Sequence, residues 1–162
     1  MKEVKKFKLT LDDAKKMVAA AQKKAEEMGK ICSFAVCDEG GFLIYFHRMD
    51  GGKPGIIDAV IRKAWTAAVF RSPTSVYQKR IEPGMPGYQL QNISPGQTLF
   101  VMGGVSIRVN REGKAIVEDD YDSEYHFKYD EFEEVIGSFA CGGATGPDDE
   151  AIAKHAILSL ND

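Results

Sequence analysis

The sequence predicts an α+β fold in which helices flank an antiparallel sheet. Two observations lead to this prediction. Strand-like segments follow one another in hairpins joined by short turns, and helical segments with one apolar face precede, separate and follow those hairpins. A doubly wound parallel sheet fits badly, because parallel neighbours need long crossover connections. The length of 162 residues favours a single domain.

A helix over residues 11–28 is the first predicted element. Thr10 and Asp13 resemble a capping box in which aspartate takes the place of the usual Glu or Gln. Gly29 suits the position just after the last helical residue. The apolar residues between these ends recur at the spacing of one helical face: Ala14, Met17, Val18, Ala21, Ala25 and Met28.

A β-hairpin and a second helix follow the first helix. Residues 31–37 and 42–47 are apolar and rich in strand-forming residues, and the turn residues 38–41 connect them. The apolar face of residues 56–70 predicts the second helix, which ends before Pro73.

The middle of the chain predicts less regular structure. A short third helix begins at Ser72 or Thr74, either of which is a suitable cap, and ends near Lys79. Residues 82–98 are rich in proline and glycine and predict a long irregular connection. Segments of this type are often functional when they are ordered.

Three further strands and a last helix complete the predicted fold. Residues 105–109 and 114–117 predict a second hairpin around a turn at 110–113. Residues 135–141 predict the final strand, and residues 148–160 predict the final helix.

An acidic segment, residues 118–134, lies before the final strand and carries a net charge of −8, from nine acidic residues and one lysine. Aromatic and charged residues alternate in its centre, which predicts an extended hairpin arm. The aromatic face needs burial. We expect the arm to clasp another subunit, or else to form a lid over a pocket. A metal site at Asp122, Glu124 and His126 is a further alternative, although charged strand faces are usually only solvated.

Composition and charge argue against several classes of protein. The net charge of −3 comes without a basic stripe interleaved with aromatic residues, so we expect no nucleic-acid binding. No apolar run approaches the ~20 residues that cross a bilayer, so we expect no membrane span. The lysine-rich start is followed by an amphipathic helix and not by the apolar region of a signal peptide, which predicts a cytoplasmic protein.

The three cysteines, Cys32, Cys37 and Cys141, do not have the spacing of a metal site. A zinc ribbon would need a Cys-x-x-Cys pair and a second pair elsewhere in the chain. We therefore expect buried, reduced thiols and no metal.

The stretch Gly137–Glu150 is the most informative part of the sequence. An apolar strand ends at Cys141, passes through Gly142-Gly143 and enters a helix, and the backbone N–H groups of such a bend often form a small-ligand site. Acidic residues at 148–150 argue against a phosphate there. Gly103-Gly104 also lie beside a strand end, and if the two strands are neighbours, Gly103, Gly104, Gly142 and Gly143 form one concave surface without side chains. Alternatively, these glycines only permit turns with positive φ.

Six short motifs occur in the order and spacing of a known family: Asp38–Gly41, Arg48–Gly51, Lys63–Ala67, Pro73-Thr74, Gly103–Ile107 and Gly142–Glu150. Over about residues 9–160 the chain resembles the GlcG/HbpS haem-binding family, which includes the C-terminal domain of the PduO corrinoid adenosyltransferase. The resemblance implies a profilin-like sandwich with a five-stranded antiparallel sheet, homo-oligomers, and binding of haem or another small molecule. The acidic segment departs from the family pattern as an insertion, and we expect self-association through it.

Five side chains are candidates for the chemistry of such a site. Arg48 and Lys63 are cations that suit a carboxylate or, given the resemblance, a haem propionate, unless they are only solvated. Asp50 orients Arg48, serves as a general base or simply forms a turn. Cys141 is the candidate nucleophile or proton-transfer group, or a small apolar wall. His47 is the histidine nearest the expected pocket, and haem iron needs an axial ligand of this kind.

Three functions are compatible with these residues. The first is binding of haem, another tetrapyrrole or a small carboxylated metabolite in a glycine-lined pocket. The second is an enzyme of the isomerase, lyase or hydrolase type acting on a small organic acid or carbonyl compound. In that enzyme Lys63 and Arg48 hold the acid, and Asp50 or Cys141 transfers protons. The third is an accessory role in assembly through the acidic segment.

Overall fold

A five-stranded antiparallel sheet forms the centre of the molecule. The computed structural model describes residues 6–117 and 134–162. The helices are α1 (Leu11–Glu27), α2 (Ile57–Val69), α3 (Thr74–Gln78) and α4 (Gly146–Leu158), and the strands are β1 (Ser33–Asp38), β2 (Leu43–Arg48), β3 (Gly104–Val109), β4 (Ala115–Ile116) and β5 (Glu134–Gly142). Short 3₁₀ turns occur at Pro54–Ile56, Tyr88–Asn92 and Ser159–Asn161. The predicted α+β architecture is confirmed.

The strands lie in the order β2-β1-β5-β3-β4, and every neighbouring pair is antiparallel. Ser33 lies opposite both Arg48 and Gly142, and Gly104 lies opposite Ala140. The last residues of β2 and β5 and the first residues of β1 and β3 therefore lie at the same end of the strands. We call this end of the sheet the Gly142 end.

Helices cover both faces of the sheet because successive strand residues point to opposite sides. Phe34 and Val36 of β1 belong to the larger core, which they share with buried residues of α1 and α4. Ala35 and Cys37 point the other way and pack with Ala64 of α2. The small side chains on this second face let α2 lie close to the sheet.

Most element boundaries agree with the sequence prediction to within about two residues. The capping box of α1 is present, since the Asp13 N–H donates to the Thr10 hydroxyl (3.2 Å) and the Thr10 N–H donates to the Asp13 carboxylate (2.9 Å). α4 begins earlier than predicted because Thr145 is its N-cap.

The predicted cap of α3 is wrong. Pro73 precedes the helix, and neither Ser72 nor Thr74 caps it with a side-chain hydrogen bond. The Thr74 hydroxyl donates instead to the Val101 carbonyl (2.6 Å) and accepts from the Gly104 N–H (3.2 Å). This hydroxyl therefore fixes the chain that leads into β3 against α3.

Two expectations from the sequence concern membranes and the acidic segment. Among the helices that the described residues form, none is both long and apolar enough to cross a membrane. The acidic segment lies outside the described residues, apart from Glu134 at the start of β5. The arm, its role as a clasp or lid, and the alternative metal site at Asp122, Glu124 and His126 stay predictions.

A buried ion pair joins the two helical layers at the Gly142 end. Lys63 of α2 is only 4% exposed, and its Nζ lies 3.3 Å from Asp149 Oδ2 of α4 and 2.9 Å from the Met102 carbonyl oxygen. A Cβ added to Gly103 would lie 2.7 Å from this Nζ, and one added to Gly142 would lie 3.4 Å from it. The Lys63 side chain can run from α2 to α4 past the strand ends because these two positions lack side chains.

The contact between α2 and the sheet predicts the effect of a methyl group at Gly104. A Cβ at this position would lie 2.5 Å from the Lys63 carbonyl oxygen, which is backbone and cannot rotate away. We expect Gly104→Ala to lower the free energy of unfolding by about 1–3 kcal/mol, as measured by urea denaturation. Gly55→Ala is the control, because a Cβ at Gly55 would meet nothing within 4 Å. Equal unfolding midpoints for Gly104→Ala and the unmodified protein would contradict the packing of α2 on β3.

The buried ion pair predicts a second set of stability effects. Lys63→Met or Asp149→Asn leaves one buried charge without its partner, so each should cost about 3–5 kcal/mol in chemical denaturation. Because the two residues interact directly, the double variant should cost clearly less than the sum of the single variants.

Arg62→Met is the matched control for this set. Arg62 is the neighbour of Lys63 on α2, and it pairs with Asp58 on the exposed face at 2.6 Å. An exposed pair of this kind contributes about 0–1 kcal/mol. A cost for Lys63→Met as small as that of Arg62→Met would show that the buried pair does not hold the layers together.

Candidate functional site

The Gly142 end of the sheet brings together most of the site residues that the sequence suggests. Arg48 is the last residue of β2, Gly142 is the last of β5, and Gly104 is the first of β3. β3 and β5 are neighbours, as the hypothesis of a shared glycine surface requires, and the Cys141 N–H donates to the Gly103 carbonyl at 2.9 Å. The topology therefore collects residues that are far apart in the sequence.

The glycine surface itself is largely covered by protein. Atoms of Lys63 lie within 3.4 Å of a Cβ added to Gly103, Gly104 or Gly142. Gly143 alone of the four is exposed, with a φ of +132° that disfavours any other residue. The expectation of one open concave surface is thus corrected at three positions, because α2 and its lysine fill the space over them.

Lys63 is engaged in the interior. Its amine donates to Asp149 Oδ2 and to the Met102 carbonyl, so two of its three donors already have protein partners. The other carboxylate oxygen, Asp149 Oδ1, accepts from the Ala144 N–H at 3.0 Å. This arrangement does not present Lys63 to a carboxylate from solution.

A second buried cluster lies beside this ion pair. The ligand atoms of Cys32, Cys141 and Asp149 all lie within 4.8 Å of one another, and all three residues are buried. The Cys141 Sγ is 3.6 Å from Asp149 Oδ1. The register of β1 and β5 explains the cluster, since Phe34 lies opposite Cys141 and Cys32 is one step further along the same face.

The electrostatics of the cluster bear on Cys141 as a nucleophile. The hydrogen bond between the Cys141 and Cys32 side chains, and then burial, raise the pKa of Cys141 above its ordinary value. The same hydrogen bond lowers the pKa of Cys32. A thiolate at Cys141 is therefore disfavoured at neutral pH. Cys37 faces the opposite layer, where burial raises its pKa to about 12.

Sequence reasoning missed Cys32 and Asp149 as members of one cluster. Cys32 carries no motif, and Asp149 is one of several acidic residues that open a helix. The pairing of β1 with β5 is what brings Cys32 to Cys141. Only a reliable prediction of strand pairing could have provided the signal.

An exposed surface lies on the outer side of the same end. Arg48 and Asp50 are exposed, while Met49 between them is half-buried. The Met49 N–H donates to the Cys32 carbonyl (3.1 Å), and the Cys32 N–H donates to the Met49 sulfur (3.3 Å). Ile31 lies between this loop and Gly143 and is 51% exposed. A Cβ added to Gly51 would lie 3.5 Å from the Ile31 Cδ1, and one added to Gly143 would lie 2.5 Å from the Ile31 carbonyl oxygen. These residues, Arg48, Asp50, Ile31 and Gly143, form what we call the outer surface.

The histidines occupy different environments. His47 is half-buried next to Arg48, and its ring stacks on Phe34 with centroids 6.3 Å apart and planes 4° apart. His155 is exposed on α4. His126 lies outside the described residues.

Comparison with known proteins identifies the family. The model of the HbpS-like family, described as haem degrading protein HbpS-like, matches residues 9–117. An uncharacterized 15.0 kDa protein from the dhaT-dhaS intergenic region of Citrobacter freundii is 29% identical over 92% of this chain and 89% of its own length.

Two solved structures share the fold over nearly the whole chain. The protein ORFY of Klebsiella pneumoniae is 25% identical with a TM-score of 0.78, covering 99% of this chain and 96% of that one. A double mutant of HbpS from Streptomyces reticuli is 28% identical with a TM-score of 0.74, covering 99% of this chain and 92% of that one. Since the family model spans well over half of the residues, the chain belongs to the HbpS-like family.

Proposed function

We propose that this protein binds haem, or another small ligand that carries carboxylates, at the outer surface. One observation carries the proposal: the exposed side chain of Ile31 adjoins the exposed backbone of Gly143, and the exposed cation Arg48 ends the edge strand at the same end of the sheet. The HbpS-like family is described as a haem degrading protein family, which supports haem as the ligand.

The chemistry of these residues fits the periphery of a haem. A haem has a flat apolar ring and two propionates. Ile31 offers apolar area to such a ring, and the exposed backbone of Gly143 lies beside it. The Arg48 guanidinium suits a propionate, to which it would donate two parallel hydrogen bonds in a bidentate pair. A small carboxylated metabolite would use the same arginine without the apolar contact.

His47 adjoins Arg48 in sequence but faces the other side of the sheet. It lies opposite Phe34 and stacks on it, toward α1 and α4, whereas Arg48 lies opposite Ser33. When bound, haem supplies a redox-active iron. A haem held by Arg48 at the outer surface would not meet the His47 imidazole, so we propose no axial ligand for its iron.

The enzyme hypothesis of the sequence stays a prediction without further support. Lys63 is paired with Asp149 in the interior, and Cys141 keeps its proton at neutral pH because of its hydrogen bond to Cys32 and its burial. Asp50 is the one candidate proton-transfer group that lies on the outer surface with Arg48. Self-association through the acidic segment likewise stays a prediction.

Haemin titration tests the proposed ligand. We expect a saturable shift of the Soret band with about one haemin per chain. Arg48→Gln should weaken binding about tenfold, because a charge-assisted hydrogen bond is worth roughly 1.5 kcal/mol or more. Arg111→Gln is the control, since Arg111 lies in the turn between β3 and β4 at the opposite end of the sheet.

The absence of a Soret shift at stoichiometric haemin would remove the tetrapyrrole version of the proposal. Succinate is then the probe for the carboxylate version. Its binding is measured by calorimetry with the unmodified protein and with the same two arginine variants. Binding that Arg48→Gln and Arg111→Gln weaken equally would reflect overall charge and would contradict a site at the outer surface.

The orientation of His47 has its own test. His47→Ala should leave the Soret band of the haemin complex unchanged, because the imidazole faces away from the outer surface. His155→Ala, at an exposed histidine on α4, should likewise leave the spectrum unchanged. A Soret band that His47→Ala shifts and His155→Ala does not would make His47 an axial ligand and contradict this orientation.

A further inference from the structure

The buried cluster of two thiols and a carboxylate lies apart from the outer surface. Cys32 and Cys141 are fully buried, and Asp149 is only 5% exposed. Three side chains with ligand atoms of this chemistry, gathered within 4.8 Å, have the composition of a thiolate-rich metal site. We propose that Cys32, Cys141 and Asp149 bind a thiophilic divalent cation of the Zn²⁺ type.

The distances in the cluster suit such an ion. Zn²⁺ binds sulfur at about 2.3 Å and carboxylate oxygen at about 2.0–2.2 Å, so a sulfur and an oxygen on one tetrahedral ion lie roughly 3.5 Å apart. The Cys141 Sγ and Asp149 Oδ1 are 3.6 Å apart. Two thiolate sulfurs on the same ion would lie roughly 3.8 Å apart. The Sγ atoms of Cys32 and Cys141 are compatible with this separation, since they lie within 4.8 Å of each other.

Asp149 divides its two oxygens between different partners. Oδ2 faces the Lys63 amine, and Oδ1 faces Cys141 and accepts from the Ala144 N–H. Lys63 and the Ala144 N–H would therefore orient the carboxylate in the way that outer partners orient metal ligands.

The net charge of the buried site would not change when the ion binds. The S–H bonds of Cys32 and Cys141 break, two S–Zn bonds form, and two protons leave for solvent as one divalent ion enters. Lys63 continues to balance Asp149. Because no net charge is added to the interior, binding avoids the main desolvation cost of a buried ion.

Three protein ligands leave one tetrahedral position, which a water molecule would complete. Soft thiolates favour Zn²⁺ over Mg²⁺ or Ca²⁺, which prefer oxygen ligands. The proposed site is distinct from the outer surface, so it does not depend on whether haem binds there.

Titration of the full chain, reduced and stripped of metal with a chelator, tests the proposal in the absence of haemin. With Zn²⁺ we expect about one ion per chain, and calorimetry in two buffers should show release of about two protons per ion. With Co²⁺ we expect a sulfur-to-metal charge-transfer band, which reports thiolate ligands directly. No stoichiometric binding, or binding without proton release and without this band, would overturn the proposal.

The three cysteines provide a matched set of variants. Cys32→Ser and Cys141→Ser should each weaken Zn²⁺ binding about 100-fold or more, since even outer partners of a metal contribute about 10- to 100-fold. Cys37→Ser is the control, because Cys37 is a buried thiol of β1 that faces the other layer. Equal weakening by all three variants would contradict the assignment.

The Co²⁺ band of the unmodified chain keeps the test decisive if a serine variant fails to fold. The metal proposal is wrong if the reduced protein binds neither ion but forms a Cys32–Cys141 disulfide with a mild disulfide oxidant. The two cysteines are then a redox pair.

Discussion

The arrangement of the Gly142 end depends on the buried ion pair between Lys63 and Asp149. The pair connects helices that lie on opposite faces of the sheet, and it passes the edge of the sheet where Gly103 and Gly142 lack side chains. Removing two charges from water costs several kcal/mol for each ion, so such a pair needs additional hydrogen bonds. The Met102 carbonyl and the Ala144 N–H supply them.

This pair separates two chemical environments that share the same strand ends. Consecutive residues face opposite ways at the boundary: Ile31 is half exposed, whereas Cys32 is fully buried. On the outer side an arginine and an apolar side chain suit a ligand with carboxylates. On the inner side two thiols and a carboxylate, balanced by Lys63, suit a soft cation. One small domain therefore carries two chemically different candidate sites at the same strand ends.

The fold was largely predictable because its signals are local. The apolar face of α1, the Thr10–Asp13 capping box and the Asp38–Gly41 turn each act within a few residues, and the structure contains all three. The site was predictable only in part. Gly103 and Gly142 attract attention in the sequence as a possible ligand surface, but they make room for Lys63, and the sequence does not show which helix lies over them.

The sequence by itself determined the order of helices and strands and the hairpin pairing, because periodicity, caps and turns are encoded by neighbouring residues. Its six short motifs indicated the family through their resemblance to known members. Only the tertiary structure decided which of two similar cations faces solvent. Arg48 ends an edge strand and is exposed, while Lys63 lies on a helix packed across the sheet and is buried against Asp149. The physical reason is that burial depends on the elements that pack over a side chain, and those elements come from distant parts of the chain.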